Sequence, residues 1–154
     1  MTTEFDQNLA NLGLSLPDAP APGANYVPFV ITGNALYVSG QVSMDENGFV
    51  KGKLGADMSV EDGVKCAELC ALSLLAQAKS ACGGDISRLK RVVKLVGFVN
   101  STQDFTDQPA VINGASNLMV AVLGDAGRHA RSAVSAASLP FGVAVEIEGI
   151  FEIA

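Results

Sequence analysis

Residues 59–84, "SVEDGVKCAELCALSLLAQAKSACGG", decide the class of fold. Ser59 is a favoured helix N-cap residue, Asp62 completes a variant of the capping box, and Gly83 and Gly84 provide a C-terminal stop. Between these signals, apolar residues recur at helical spacing and predict one buried stripe, made of Val64, Ala67, Ala71, Leu74, Leu75, Ala78 and Cys82. The stretch therefore predicts a long helix that packs one face on the rest of the chain.

Extended segments flank this helix on both sides. "YVPFVIT" (26–32) and "ALYVSG" (35–40) are rich in β-formers and are separated by Gly33 and Asn34, which predicts a two-residue hairpin. Pro28 cannot donate a ladder hydrogen bond, so the first of these strands is expected at a sheet edge. "RVVKLVGFV" (91–99) is nearly continuous in β-formers and predicts an interior strand.

Two shorter patterns complete the set of elements before the C-terminus. "QVSM" and "FVKG" flank Asp45–Gly48 and suggest a second hairpin. A second helix is predicted from Gln108 to Leu123, with Asp107 as its cap and Gly124 at its stop.

The chain closes with two extended segments, Arg131–Leu139 and Gly142–Ile153, broken at Pro140. Strands before, between and after two helices predict an α+β domain, in which one mixed β-sheet carries both main helices on one face. At the other end, Thr3–Leu12 predicts a short helix, and the proline-rich segment after it an extended connector. Because residues 1–24 are too few to fold alone, we expect one domain over residues 1–154.

Composition argues against several classes of function. The net charge is −6, there is no tryptophan and only 6% of residues are aromatic, so nucleic acid is an unlikely partner. The N-terminus lacks the pattern of a secretory signal. The uncharged run Ala19–Met44 is interrupted by prolines and glycines and cannot form a membrane helix. We therefore expect a cytoplasmic protein without a membrane partner.

The three cysteines do not suggest a metal site. Cys66, Cys70 and Cys82 are odd in number, and they are expected to be free buried thiols. His129 is the one histidine and lies far along the chain from them, so the sequence predicts no bound metal.

The chemistry that the residues allow centres on an arginine and two carboxylates. Arg131 stands at the head of a run of small residues, where a guanidinium could hold a carboxylate by two parallel hydrogen bonds; a surface or structural ion pair is the alternative. Glu146 and Glu148 share one strand face, where they could orient or deprotonate water or could simply be solvated. Ser39 and Gly40 end a predicted strand and could meet a ligand or form a simple turn.

Four stretches carry a resemblance to a known family. "SGQ" (39–41), "GFVNSTQDF" (97–105), "ARSAV" (130–134) and "LPFGVAVEIE" (139–148) resemble, in this order, signatures of the Rid family of reactive intermediate deaminases, also called YjgF proteins. They span most of the chain from Tyr26 onward. The N-terminal segment, "DFTDQP" and "AGRHARSAV" resemble a less characterised subgroup labelled YjgF-like or endoribonuclease L-PSP.

This resemblance implies a chorismate-mutase-like α+β fold, assembled as a homotrimer with a cleft between each pair of subunits. It also implies an enzyme without a cofactor that hydrolyses 2-imino acids, released with their enamine tautomers by pyridoxal-phosphate enzymes, to 2-keto acids and ammonia. A trimer that binds small carboxylic acids such as keto acids without turnover is the alternative. An endoribonuclease is a third reading, which conflicts with the acidic charge and the single histidine.

The resemblance also implies roles for individual residues. Arg131 matches the arginine that grips the substrate carboxylate, and Glu146 matches the glutamate that orients the attacking water. Four further residues match the lining of the cleft: Tyr26, Ser39, Gly40 and Asn113. Many Rid proteins have a cysteine two residues after the arginine, whereas this chain has Ala133 in the predicted substrate site. If the family uses mainly backbone groups there, little is lost; if the thiol shapes selectivity, the substrate preference differs from the family's.

Overall fold

The computed structural model describes residues 2–154 as a mixed sheet with helices on one face. The helices are α1 (Glu4–Asn11), α2 (Val60–Ala81) and α3 (Gln108–Leu123). The strands are β1 (Phe29–Thr32), β2 (Ala35–Val42), β3 (Met44–Asp45), β4 (Gly48–Phe49), β5 (Leu89–Asn100), β6 (Ala130–Ala136) and β7 (Val145–Ile153). Five strands form the main sheet in the order β1-β2-β7-β5-β6, and β3 and β4 form a separate hairpin. All neighbours in the main sheet are antiparallel except β5 and β6.

The long helix and the interior strand agree with the sequence prediction. Ser59 caps α2 by accepting a hydrogen bond from the Asp62 backbone N–H at 3.1 Å, but the Asp62 side chain makes no return hydrogen bond, so the predicted capping box is only half formed. The predicted stripe of α2 is buried from Ala67 to Cys82, and its first member, Val64, is half-buried. Strand β5 lies between β7 and β6, as its continuous run of β-formers predicted.

The start of α3 differs from the prediction in one detail. The helix bounds are as expected, but the Asp107 side chain makes no capping hydrogen bond. Asp107 has φ −95° and ψ 28°, whereas a residue whose side chain caps a helix normally has an extended backbone. The Gln108 side chain instead donates to the Phe105 carbonyl at 2.7 Å.

Both main helices cover the same face of the sheet, which confirms the predicted fold class. Helix α2 packs on β2 and β7, and α3 packs on β5 and β6. The core between these layers is built from apolar side chains of both, among them Leu36, Leu74, Ile112, Ile147 and Phe151. The opposite face of the sheet is covered by no helix within residues 2–154.

The two hairpins form where they were predicted. Gly33 lies at φ 59° in the turn between β1 and β2, which glycine adopts without strain. Strand β1 lies at the sheet edge and begins directly after Pro28. The second hairpin is tighter than expected, since Asp45 and Gly48 are themselves paired.

The N-terminal segment docks on the body of the domain. Phe5 and Leu9 of α1 are buried, and the Asn8 side chain donates to the Val122 carbonyl of α3 at 2.9 Å. Leu12, the last residue of the predicted helix, is 48% exposed and lies just after the end of α1. The connector after α1 has no regular structure until β1 begins.

Cys66, Cys70 and Cys82 are free and buried, as predicted. Burial raises the pKa of each of these thiols, which disfavours the reactive thiolate. Within residues 2–154, no group of three or more histidine, cysteine or acidic side chains could hold a metal ion. No helix in this part of the chain is both long and apolar enough to cross a bilayer.

Candidate active site

A β-bulge in β2 shapes the first part of the site. Val38 pairs with Gly149 and Gln41 with Ile147, so β2 uses one more residue than β7 between these pairs. Ser39 and Gly40 occupy the irregular stretch. The prediction that they end a strand was wrong, because β2 continues through them to Val42.

The bulge places the backbone of Gly40 directly over the Glu146 side chain of β7. A β-carbon built on Gly40 would lie 3.0 Å from Glu146 Cδ and 3.2 Å from Cγ, and still closer to a carboxylate oxygen. The Ser39 hydroxyl donates to the Val27 carbonyl at 2.9 Å, which ties the bulge to the connector. Residue 40 must therefore be glycine if Glu146 is to keep this position.

Glu146 lies in a pocket of about 640 Å³ on the face of the sheet that carries no helix. The pocket is lined by the proline-rich connector with Tyr26, by β2 from Ser39 to Val42, and by Glu148. The aromatic rings of Phe49 and Phe141 complete its wall. Four predicted site residues thus line one pocket: Tyr26, Ser39, Gly40 and Glu146.

The two carboxylates of β7 share this pocket but differ in environment. Glu146 is half-buried and Glu148 is exposed, and both alternate with fully buried Val145 and Ile147. Burial raises the pKa of Glu146, and repulsion from Glu148 raises it further. A carboxylate with a raised pKa is a stronger base, which suits it to accept a proton from water near neutral pH.

Arg131 lies in a second group of residues, on β6 and α3. Its guanidinium donates to Ser116 Oγ at 3.1 Å and to the Pro109 carbonyl at 3.3 Å, both on α3. The side chain is half-buried, and no carboxylate among residues 2–154 forms an ion pair with it. Among residues 2–154, Arg131 therefore does not form the ion pair that the sequence left open as an alternative.

A chain of hydrogen bonds continues from Arg131 through Ser116. His129 Nε2 is 2.9 Å from Ser116 Oγ, and Nδ1 is 2.6 Å from the Gly127 carbonyl. A carbonyl can only accept, so Nδ1 carries a proton, and in the neutral ring Nε2 accepts from the Ser116 hydroxyl. Ser116 Oγ therefore keeps a lone pair that can accept from Arg131. The hydrogen bonds that link His129, Ser116 and Arg131 hold the guanidinium in place.

Asn113 and Ala133 belong to this second group. Asn113 is exposed on α3, four residues after Pro109 and three before Ser116, so it lies on the helix face that contacts Arg131. Ala133 is half-buried on β6, on the same side of the strand as Arg131, and packs against the core.

One chain does not bring Arg131 and Glu146 together. Arg131 pairs with buried Leu95 and reaches α3, so it projects from the helix side of the sheet. Glu146 alternates with core residues of β7 and projects from the other side. Strand β5 also separates their two strands, which adds about 10 Å between them. The predicted site residues therefore form two half-sites.

Sequence reasoning did not identify three residues that the structure adds. Ser116 accepts a hydrogen bond from Arg131, and His129 is hydrogen-bonded to Ser116; because Ser116 is one of several polar residues on α3, no local signal marked it. Phe141 lines the pocket in a left-handed conformation, and its position between Pro140 and Gly142 was the signal for an unusual turn.

The chain is an α+β protein, whose mixed sheet carries helices on one face and a pocket with two carboxylates on the other. Residues 6–148 match the family described as "YjgF/chorismate_mutase-like, putative endoribonuclease". The chain belongs to this family. Membership supports a role as a small-molecule deaminase or binder in general terms.

Individual relatives cover nearly the whole chain. Protein TCP17 of Trypanosoma cruzi is 49% identical over 95% of this chain and 92% of its own length. The crystal structure of Atu1372 from Agrobacterium tumefaciens, a protein described as having unknown function, superposes with a TM-score of 0.92. It is 52% identical over 98% of this chain and 93% of its own. RidA from an Antarctic Psychrobacter is more distant, with 31% identity, a TM-score of 0.60, and coverage of 88% and 94%.

Proposed function

We propose that this protein is a homotrimeric hydrolase that converts 2-imino acids and their enamine tautomers to 2-keto acids and ammonia. Arg131 holds the substrate carboxylate and Glu146 orients the attacking water. The observation that carries the proposal is the half-buried Glu146, whose pKa is raised, in an open pocket beneath the bulge at Gly40. The relationship to RidA supports the same class of reaction.

The charge of the pocket favours the nitrogen end of such a substrate. Glu146 and Glu148 both face it, and none of its lining residues is basic. A protonated imine is attracted by these carboxylates, whereas the carboxylate of the same substrate is repelled. A complete site for an imino acid therefore needs a cation that this half-site lacks, and Arg131 has the required chemistry.

The uncovered sheet face supports the assembly that would supply this cation. Val30, Tyr37 and Val134 point from this face and are 52%, 48% and 43% exposed. They are joined by partly buried Val96, Phe98 and Ile150, which share the face by cross-strand pairing. An exposed apolar patch of this kind, bordered on the same face by Glu146, Glu148 and Lys94, favours association. In the proposed homotrimer, Arg131 of one chain would complete the pocket around Glu146 of the next.

The reaction needs no group beyond water and these side chains. Water attacks the C=N carbon while Glu146 accepts one of its protons, which forms a carbinolamine. Glu146 returns that proton to the nitrogen, and ammonia leaves with the C–N bonding pair. As the C=O bond forms, the hydroxyl O–H bond breaks and Glu146 takes its proton, which then passes to solvent. Arg131 fixes the carboxylate so that the reacting carbon faces the water, which lowers the entropic part of the barrier.

A mixing experiment tests both the reaction and the shared site. Imines are generated in place by an amino-acid oxidase, and keto-acid release above the buffer rate is followed for Arg131→Ala, Glu146→Gln and their mixture. Each variant alone should lose about 100-fold or more. After co-refolding in equal amounts, about a quarter of the wild-type activity should return, because each mixed trimer then contains one intact cleft.

Three outcomes would contradict this proposal. Wild-type protein no faster than buffer would exclude turnover. Arg131→Ala as active as the wild type would exclude the assigned grip on the carboxylate. Two inactive variants that fail to complement each other would place both groups in one chain's site or exclude the trimer.

The second candidate is a trimer that binds keto acids without turnover. It is favoured by Ala133, which stands where many Rid proteins have a cysteine. Ligand-induced thermal stabilisation that depends on Arg131, without imine hydrolysis, would favour it.

A further inference from the structure

The pocket around Glu146 is larger than a three-carbon substrate needs. An imino acid with a methyl side chain has about six heavy atoms, whereas pockets of several hundred Å³ enclose far larger ligands. The volume here is about 640 Å³. Away from the two glutamates, the wall is mostly apolar and includes the Pro20–Gly23 connector, Phe49 and Phe141. The excess space is therefore apolar and partly aromatic.

Phe141 is held at this wall in an unfavourable backbone conformation. It has φ 62° and ψ 8°, and it is the one non-glycine residue with positive φ among residues 2–154. A bulky residue there is strained, and such strain occurs often where a side chain must meet a ligand. The Phe141 ring stacks on Phe49 with centroids 4.5 Å apart and planes 8° apart.

The stacked pair leaves much of its surface uncovered. Phe141 is 57% exposed and Phe49 is 41% exposed, although both line the pocket. Gly23 of the connector lies close to the edge of the Phe141 ring, since a β-carbon there would be 3.8 Å from Phe141 Cζ, an ordinary contact distance. A flat apolar group of a ligand in the pocket could bury the exposed surface of this aromatic pair.

The connector wall is fixed before any ligand arrives. The buried Gln77 side chain of α2 donates to the Pro20 carbonyl at 2.6 Å. At the other end, the Ser39 hydroxyl donates to the Val27 carbonyl. Leu14 and Leu16 pack against the core upstream of this segment. The wall thus resembles a preformed subsite, which binds a ligand with little ordering cost.

We propose that this apolar subsite, walled by Phe141, Phe49 and the Pro20–Gly23 connector, selects 2-imino acids with large apolar or aromatic side chains. The inference rests on the proposed function, in which Glu146 faces the imine carbon. The side chain on that carbon then extends along the aromatic wall. Substrates with a methyl side chain leave the wall exposed and gain nothing from it.

The first test compares imines made in place from phenylalanine, leucine and alanine. Wild-type kcat/KM should be at least about 10-fold higher for the phenylalanine-derived imine than for the alanine-derived one. Phe141→Gly should reduce that ratio by about 5-fold or more, and the ratio of the two kcat/KM values is the readout, not the absolute rate with either imine. Phe141→Tyr keeps the ring, and its hydroxyl can reach solvent, so the ratio should be retained.

The glycine variant separates a specificity role from a structural one. Glycine adopts φ 62° without strain, which offsets the lost stacking, so the melting temperature should stay within a few degrees of the wild type. A wild-type preference for the alanine-derived imine, or an unchanged ratio in Phe141→Gly, would overturn the proposal.

A binding experiment distinguishes failure of the subsite from failure of the catalytic proposal. If no imine is hydrolysed, phenylpyruvate and pyruvate are compared as ligands by calorimetry. Phenylpyruvate binding at least about 10-fold more tightly, with the difference lost in Phe141→Gly, would support the subsite alone. Equal affinities, or no binding of either acid because a second copy fills the pocket, would reject it.

Discussion

Gly40 and Glu146 are in direct contact across the β2–β7 pair, and the position of the carboxylate depends on the missing side chain. A methyl group on residue 40 would come within 3.0 Å of Glu146 Cδ. Gly40 has no positive φ, so the need for glycine here comes from space and not from the backbone. The bulge and the carboxylate therefore act as one unit.

Gly40→Ala should displace Glu146 and lower kcat by up to about 100-fold, the effect expected when a catalytic group moves by about 1 Å. Steady-state kinetics with the generated imine measure this. Gly83→Ala is the control: Gly83 has φ 66° at the end of α2 with open space around it. That variant should lose about 1 kcal/mol of stability from strain and keep its turnover. Equal activity of Gly40→Ala and wild type would contradict the assigned contact.

Glu146→Gln should stabilise the protein at neutral pH. Burial and then Glu148 raise the pKa of Glu146 above its ordinary value of 4.5, so the folded state binds this proton more tightly than the unfolded state. Above 4.5, ionisation therefore favours unfolding, and the stability lost there is absent in the glutamine variant.

Thermal unfolding from pH 4 to pH 8 tests this sign. The melting temperature of Glu146→Gln should exceed that of the wild type at pH 7, and the difference should disappear as the pH falls to 4. Glu152→Gln, an exposed position on the same strand, should give no such gain. A melting temperature of Glu146→Gln below the wild-type value at pH 7 would contradict this sign and would show that the folded protein stabilises the ionised form of Glu146.

Glu148→Gln should move the acid limb of the pH–rate profile to lower pH. The base must be ionised to accept a proton, so activity rises with pH through the raised pKa of Glu146. Removing the charge of Glu148 removes the second cause of that rise, while burial, the larger cause, remains. The profile of kcat/KM between pH 4 and pH 8 measures the shift. An acid limb that stays in place would mean that another group controls it.

Val134→Asp should convert the assembly to monomers and abolish activity. Val134 is 43% exposed on the uncovered sheet face, where a single chain can solvate a carboxylate but an apolar interface cannot. Light scattering should show about a threefold drop in mass, with the circular dichroism of the folded chain retained. Leu12→Asp, at a similarly exposed position after α1, should leave both mass and activity unchanged. Full activity in a monomeric Val134→Asp protein would exclude a shared site.

Local patterns predicted the elements of the fold but not the bulge. Helix α2 and the turn at Gly33 depend on residues that are close to each other in the sequence, and both appear as predicted. The bulge at Ser39 and Gly40 depends on the register between β2 and β7, which lie about a hundred residues apart. No local signal fixes that register, so the sequence suggested only a strand end.

The candidate site, like the fold, could be predicted from the sequence only in part. The alternation of β7 predicted that Glu146 and Glu148 share a face, and both line the pocket. The side of the sheet from which Arg131 projects depends on how α3 packs against β6, which the sequence of β6 alone does not contain. The roles of Arg131 and Glu146 came from resemblance and stay predictions.

Ser116→Ala should weaken carboxylate binding more than it slows the chemical step. Ser116 Oγ accepts from Arg131 and bridges it to His129, so its loss frees the guanidinium and leaves His129 Nε2 without its partner. A hydrogen bond to a charged group contributes about 1.5–3 kcal/mol, which sets about 10- to 100-fold as the upper range for the rise in KM or in the dissociation constant of a keto acid. Turnover at saturation should fall much less, because Glu146 is untouched.

Ser116→Thr keeps the hydroxyl and should restore binding, and Ser80→Ala, exposed on α2, should behave as wild type. Equal losses of kcat in Ser116→Ala and Ser116→Thr, with unchanged affinity, would show that Ser116 acts on the fold and not on Arg131.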